Sequence, residues 1–186
     1  MKRGLILILI MCVFCGCSNG STSIDRAIAL RNNVSDGKPC KFDAVVIADY
    51  LDRTYGFEMQ CETAVNGNTT FTVVQPDTIS GISGTISDDG GAITFDDNVL
   101  AFEPIIDGNI SPVATPWLFL KTLRGGYIKA CSTDSSGLYI QIDDSYAGKP
   151  VLLEIWTDGD DLPQHVEISW DGRRILSMDV ENFTIL

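Results

Sequence analysis

Two stretches decide the fold: Cys40-Lys41-Phe42-Asp43-Ala44-Val45-Val46-Ile47-Ala48-Asp49-Tyr50 and, after a four-residue gap, Tyr55-Gly56-Phe57-Glu58-Met59-Gln60-Cys61-Glu62. Cys40, Phe42, Ala44, Val46, Ala48 and Tyr50 take every second position in the first, and Lys41, Asp43 and Asp49 fall between them. Tyr55, Phe57, Met59 and Cys61 alternate with Gly56, Glu58, Gln60 and Glu62 in the second. Successive side chains of a strand point to opposite faces, so a period of two means a strand wet on one face and dry on the other. That half-buried pattern belongs to antiparallel sheets; parallel strands are covered on both faces.

The same grammar runs on toward the C-terminus. Asn66-Gly67 is a hairpin turn, and Phe71 to Val74 returns until Pro76-Asp77 ends it. Ile82 and Ile86 share a face; Asp89-Gly90-Gly91 turns the chain into Ile93 and Phe95; Asp97-Asn98 turns it again into Val99 to Phe102. Further strands are expected at Tyr127 to Ser132, at Leu138-Ile140-Ile142, at Val151-Leu153-Ile155, at Val166-Ile168-Trp170, and after Asp171-Gly172 from Ile175 to Leu186. The turns divide the chain into about ten or eleven short strands. Two helices interrupt them. Thr22 to Asn32 opens on a cap at Thr22 with Asp25 three residues on, and Ile24, Ala27 and Ile28 form its apolar stripe. In the second, Thr115 caps, Pro116 takes the first turn and Gly125 follows the end. Trp117, Leu118, Phe119, Leu120 and Leu123 make that second helix apolar around most of its circumference, so protein must wrap it. The class is α+β: an antiparallel meander that covers its apolar face with one or two helices. No repeat or second boundary breaks it, and residues 23–186 form one domain.

The N-terminus has a different purpose. Lys2 and Arg3 precede an apolar run from Leu5 to Phe14. Ten helical residues reach roughly 15 Å, about half of a bilayer core, so the run is an export signal and not a span. Val13-Phe14-Cys15-Gly16-Cys17 resembles the lipobox of bacterial lipoproteins, with Phe14 where that family usually has Leu. The resemblance implies cleavage after residue 16 and acylation of Cys17. Residues 17–22, with Ser18-Asn19-Gly20-Ser21, are the small, polar tether that such an anchor needs. The protein is then held on the extracytoplasmic face of the cell membrane.

Composition excludes several functions. Acids number 25 against 13 bases, a formal charge of −12. Loss of Lys2 and Arg3 takes it to −14, a surface that repels nucleic-acid phosphates. With one histidine, His165, on the polar face of its strand, neither a two-histidine metal site nor a histidine-based triad is expected. Asp158-Gly159-Asp160-Asp161 is a solvated turn and not a calcium loop, because Ser169 stands where the twelfth-position glutamate would be. No catalytic residues, cofactor or metal are expected. Three cysteines remain beside Cys17, namely Cys40, Cys61 and Cys131, so one internal disulfide is the maximum. Cys40 and Cys61 fall on the apolar faces of neighbouring strands. They are either a cross-strand disulfide, permitted outside the membrane, or two buried thiols acting as small hydrophobes.

The order of these pieces is similar to the LolA/LolB lipoprotein-carrier fold, above all to Gram-positive lipoproteins labelled outer-membrane lipoprotein-sorting proteins. The stretches that carry the resemblance are Phe71-Thr72-Val73-Val74-Gln75-Pro76 with Ile79-Ser80-Gly81-Ile82, Ile93-Thr94-Phe95-Asp96, Ser111-Pro112 before the apolar helix, Leu162-Pro163 and Asn182-Phe183. The family implies an open, incomplete antiparallel barrel around helices, with a cavity that takes acyl chains in the carriers and lipids in other relatives. In one branch the protein instead binds and activates a cell-wall amidase. No functional residue carries over. The candidate cavity is therefore read from the residues alone: Phe42, Val46, Phe57 and Met59 on the sheet, and Trp117, Phe119, Leu120 and Leu123 on the helix. Two expectations follow: an apolar ligand held between sheet and helix, or an interaction module for an envelope protein in which the same residues are simply core.

Overall fold

A computed structural model describes residues 22–35, 38–96, 98–106, 109–145 and 150–186. The expected leader, Cys17 and the expected tether up to residue 21 lie outside the described residues.

Eleven strands form one antiparallel sheet, in the order β6-β5-β4-β3-β2-β1-β13-β12-β11-β10-β9. They are β1 (Cys40–Asp49), β2 (Thr54–Thr63), β3 (Thr69–Gln75), β4 (Ser83–Ser87), β5 (Gly90–Phe95) and β6 (Asn98–Phe102) on one side. On the other are β9 (Tyr127–Thr133), β10 (Leu138–Asp143), β11 (Val151–Thr157), β12 (Pro163–Trp170) and β13 (Arg173–Ile185). Consecutive strands pair from β1 to β6 and from β9 to β13, and β13 also pairs with β1 in the middle of the sheet. The outermost strands, β6 and β9, do not pair with each other, so the sheet stays open. This is the expected open half-barrel. A two-stranded ribbon, β7 (Ile105–Ile106) with β8 (Asn109–Ile110), has no counterpart in the sequence reading because two-residue strands leave no periodicity.

The sheet's apolar face and two helices enclose one core. Helix α1 (Ser23–Ser35) packs on β9 and β10, and α2 (Thr115–Gly125) packs on β10, β11 and α1. The start of α1 is the expected capping box: Thr22 Oγ1 donates to Asp25 Oδ2 at 2.6 Å, and the Asp25 amide returns to Thr22 Oγ1. Its buried stripe differs from the expected one. Ala27, Leu30 and Val34 are inside, whereas Ile24 and Ile28 stay exposed. The i, i+3, i+4 pattern admits both stripes, and docking against β9, β10 and α2 selects the one carrying Leu30 and Val34.

The ends of α2 also differ from expectation. Thr115 does not cap; its hydroxyl donates to the Pro112 carbonyl of the preceding 3-10 turn, and Ala114 holds the N-cap. Gly125 is the last helical residue, and the Gly126 amide closes the helix onto the Thr122 carbonyl. The two helices also cap each other. Arg31 of α1 donates to the Leu123 and Gly126 carbonyls, and Arg124 of α2 donates to the Val34 carbonyl. These bonds satisfy carbonyls that helix ends leave open.

Candidate functional site

The apolar residues expected to line a cavity are mostly packed. Phe42, Val46, Met59, Phe119, Leu120 and Leu123 are 1% exposed or less, and Trp117 is 6%. Phe57 is half-buried at the edge of the same cluster. Phe119 of α2 meets Phe42 of β1 edge-on, with ring centroids 6.2 Å apart, and Phe42 lies 5.6 Å from Phe183. The structure packs these side chains into one core cluster.

Cys40 and Cys61 also lie inside, as free thiols. Cys40 stands opposite Thr63 and Cys61 opposite Phe42, so the two cysteines are diagonal neighbours and not a direct pair. Diagonal side chains are about 7–8 Å apart, and a disulfide needs Cβ atoms about 3.8 Å apart. Burial pushes both thiols up, Cys61 most strongly.

Apolar surface is uncovered further along the sheet. One cross-strand row on the inner face runs Phe42, Cys61, Phe71, Gly84, Ile93, Leu100 across β1 to β6. It begins in the core, is half-buried at Ile93, and ends at Leu100, which is 67% exposed. Phe95, two residues beyond Ile93 on the same face, is 57% exposed. The next row ends Ile86, Gly91, Phe102. Two glycines are needed here: a Cβ on Gly84 would lie 2.7 Å from the Phe71 ring, and one on Gly91 would lie 2.4 Å from the Phe102 ring. Those rings lie over their neighbouring strands: Phe71 is buried in the core, and Phe102 is half-buried toward the open end. Leu100 and Phe95 escaped the sequence reading because alternation marks a face as apolar without saying where its cover stops.

Along one side of α2, a groove of about 520 Å³ is lined by Trp117, Lys121, Arg124, Asn66, Asn68 and Asp88, among others. Lys121 Nζ lies 2.5 Å from Asp88 Oδ1 and 4.6 Å above the Trp117 ring, whereas Arg124, whose Nε donates to the Val34 carbonyl, keeps a buried Nη2 with no hydrogen-bond partner among the described residues. No group of three or more metal-ligating side chains gathers among the described residues, and no described helix is long and apolar enough to cross a membrane. The Asp158 turn is held by its own backbone, with Asp158 Oδ1 accepting the Asp160 and Leu162 amides, while Asp161 pairs with Arg26.

His165 lies on the polar, outer face, as expected, but it has partners. The register aligns Ser132, Tyr139, Trp156, His165 and Asp179 in one row across β9 to β13. Ring centroids are 5.2 Å apart for Tyr139 and Trp156 and 5.3 Å for Trp156 and His165. His165 Nδ1 is 2.5 Å from Asp179 Oδ1, and Tyr139 donates to Glu154 Oε1 at 2.5 Å. Burial and then this bond to Glu154 push the Tyr139 phenol up to about 12, so it stays a donor.

No family model matches the chain, and no curated protein matches it. Among solved structures it is similar to a LolA superfamily protein from Nitrosomonas europaea, with 8% identity over 90% of this chain and 94% of that one, and a TM-score of 0.45. It is also similar to a putative outer membrane lipoprotein-sorting protein domain from Vibrio parahaemolyticus, with 10% identity, 87% and 91% covered, and a TM-score of 0.48. A third is the lipoprotein LppX of Mycobacterium tuberculosis, with 10% identity, 87% and 92% covered, and a TM-score of 0.41.

Proposed function

We propose that this protein is a non-enzymatic envelope lipoprotein that binds an acyl chain or similar apolar ligand at the open end of its half-barrel. The leader is residues 1–16, Cys17 carries the lipid anchor, and residues 17–22 hold the domain off the extracytoplasmic face of the membrane. One observation carries the ligand reading: the inner-face row that starts in the core at Phe42 ends at exposed Leu100, with exposed Phe95 on the same face beside it. Contiguous apolar surface left open on a folded domain marks a binding site for apolar matter. The site is thus moved from the interior, where Phe42, Met59 and Phe119 fill the space, to β5 and β6.

A fluorescent fatty acid titrated into the domain tests the proposal. Saturable enhancement that Leu100→Asp abolishes is expected; no enhancement, or enhancement indifferent to that substitution, overturns it. Radiolabelled palmitate entering the full chain but not Cys17→Ala tests the anchor.

The packed interior favours a second reading, an interaction module that binds or regulates a cell-wall enzyme without any ligand. Its acidic surface would steer it toward a basic partner. Under this reading the fatty-acid titration is flat, while the protein retains an envelope enzyme in a pull-down.

A further inference from the structure

The outer face of β9 to β12 carries a second site that the apolar mouth does not use. A depression of about 220 Å³ is lined by Tyr139, Trp156, His165, Gln164, Ser132 and Asp134, among others. Among the described residues both helices pack on the opposite, inner face, so no helix covers it. Tyr139, Trp156 and His165 are half-buried, and Gln164 and Ser132 are exposed around them. The rings follow one another at 5.2 and 5.3 Å along a single cross-strand row, which makes a stepped aromatic strip and not an isolated ring.

The polar groups decide what such a strip takes. The carboxylates beside the rings keep their charge, but their oxygens are committed to neighbouring groups of the protein itself. Asp134 Oδ1 accepts the Ser136 amide, the Ser136 hydroxyl and the Gly137 amide of its own turn. Glu154 Oε1 accepts Tyr139 and lies 3.5 Å from the Gln141 side-chain amide; Asp179 is held by His165, and Glu167 by Arg174. An anionic ligand meets Asp134, Glu154, Glu167 and Asp179 around the site, on a chain whose net charge is already −12. The uncommitted groups suit a neutral ligand with an apolar face and a polar rim. Tyr139 and Trp156 line it with aromatic rings, Gln164 with an amide that both donates and accepts, and Ser132 with a hydroxyl. A pyranose ring has that character, with axial C–H groups on its face and hydroxyls on its edge.

We infer that the Tyr139–Trp156–His165 strip is a binding site for a neutral saccharide, with one sugar ring on Trp156 and its edge hydroxyls on Gln164 and Ser132. The site reads successive units of an extended glycan because its rings step from strand to strand. It lies on the face opposite the apolar mouth, so both can be occupied together.

The test uses the full chain in a detergent without a sugar headgroup. Tryptophan emission is followed while the tetramer of N-acetylglucosamine or cellotetraose is added. A saturable change is expected with at least one of them. Trp156→Ala should weaken binding about tenfold, the scale of losing one stacked ring. Gln164→Ala, at an exposed position, should weaken it severalfold with an unchanged melting curve, which covers the case in which Trp156→Ala does not fold. Leu100→Asp should leave saccharide binding intact, which separates this site from the proposed lipid site. No saturation with either sugar up to about 10 mM, or binding unaffected by Gln164→Ala and by Trp156→Ala, overturns the inference.

Discussion

Phe119→Ala separates a packed interior from a ligand cavity. Phe119 is fully buried in α2, with its ring edge-on to Phe42 and surrounded by sheet side chains of the same core. Truncating a buried phenylalanine costs about 3–5 kcal/mol, the transfer of the ring plus the void left behind. A lost edge-to-face contact of about 0.5–1.5 kcal/mol is part of that total. The helix is pinned at its C-terminal end by Arg31, so the site cannot collapse freely and the upper half of the range applies. For a chain of this length that corresponds to a fall in Tm of about 8–20 °C. Thermal and urea unfolding, followed by far-UV circular dichroism, would measure it. Leu100→Asp is the control. It sits at the exposed end of the same apolar row, and a substitution there should change stability by about 0.5 kcal/mol or less while removing fatty-acid binding. A loss below about 1.5 kcal/mol for Phe119→Ala, together with enhanced fatty-acid uptake, would refute the packed interior.

Gly84→Ala should destabilise by about 1–3 kcal/mol, since its Cβ would sit 2.5 Å from the Ala92 carbonyl and 2.7 Å from the Phe71 ring; urea denaturation checks it. Iodoacetamide should label half-buried Cys131 well before Cys40 and Cys61, whose thiols burial holds protonated; mass spectrometry of timed digests reads the order, and equal rates would contradict the placement. Acid should weaken the fold. Hydrogen bonds from Thr22, Ser136 and Ser145 hold Asp25, Asp134 and Asp143 below their ordinary value of 3.8. A lowered folded pKa adds stability above the unfolded value and forfeits it as pH falls through the folded one. Melting temperature should therefore decline as pH drops below about 4, less steeply in Asp134→Asn, and a flat profile would count against these bonds.

Period-two alternation from Cys40 onward, broken by Asn66-Gly67, Asp89-Gly90 and Asp171-Gly172, determined an antiparallel meander with one dry face. Each of those signals is local: a side chain's face follows from its place in the strand, and a turn from the two residues that make it. The acidic balance likewise needed no fold to argue against nucleic acid, nor the single histidine to argue against a two-histidine metal site. Tertiary structure alone decided which apolar positions are covered. Leu100 and Phe95 carry the same pattern as Phe42 and Met59, yet they lie past the reach of the helices and remain open. On α1, Ile24 and Ile28 fit a helical stripe as well as Leu30 and Val34 do, and only the docking against β9, β10 and α2 chose between them. The outer row from Ser132 to Asp179 draws on five strands, and bulges at Gln141/Ile142 and Trp156/Thr157 set how those strands align. A one-residue slip in any pairing would send its members to the other face, so no window of sequence holds that site; it exists only once the sheet has closed β13 onto β1 and set its registers.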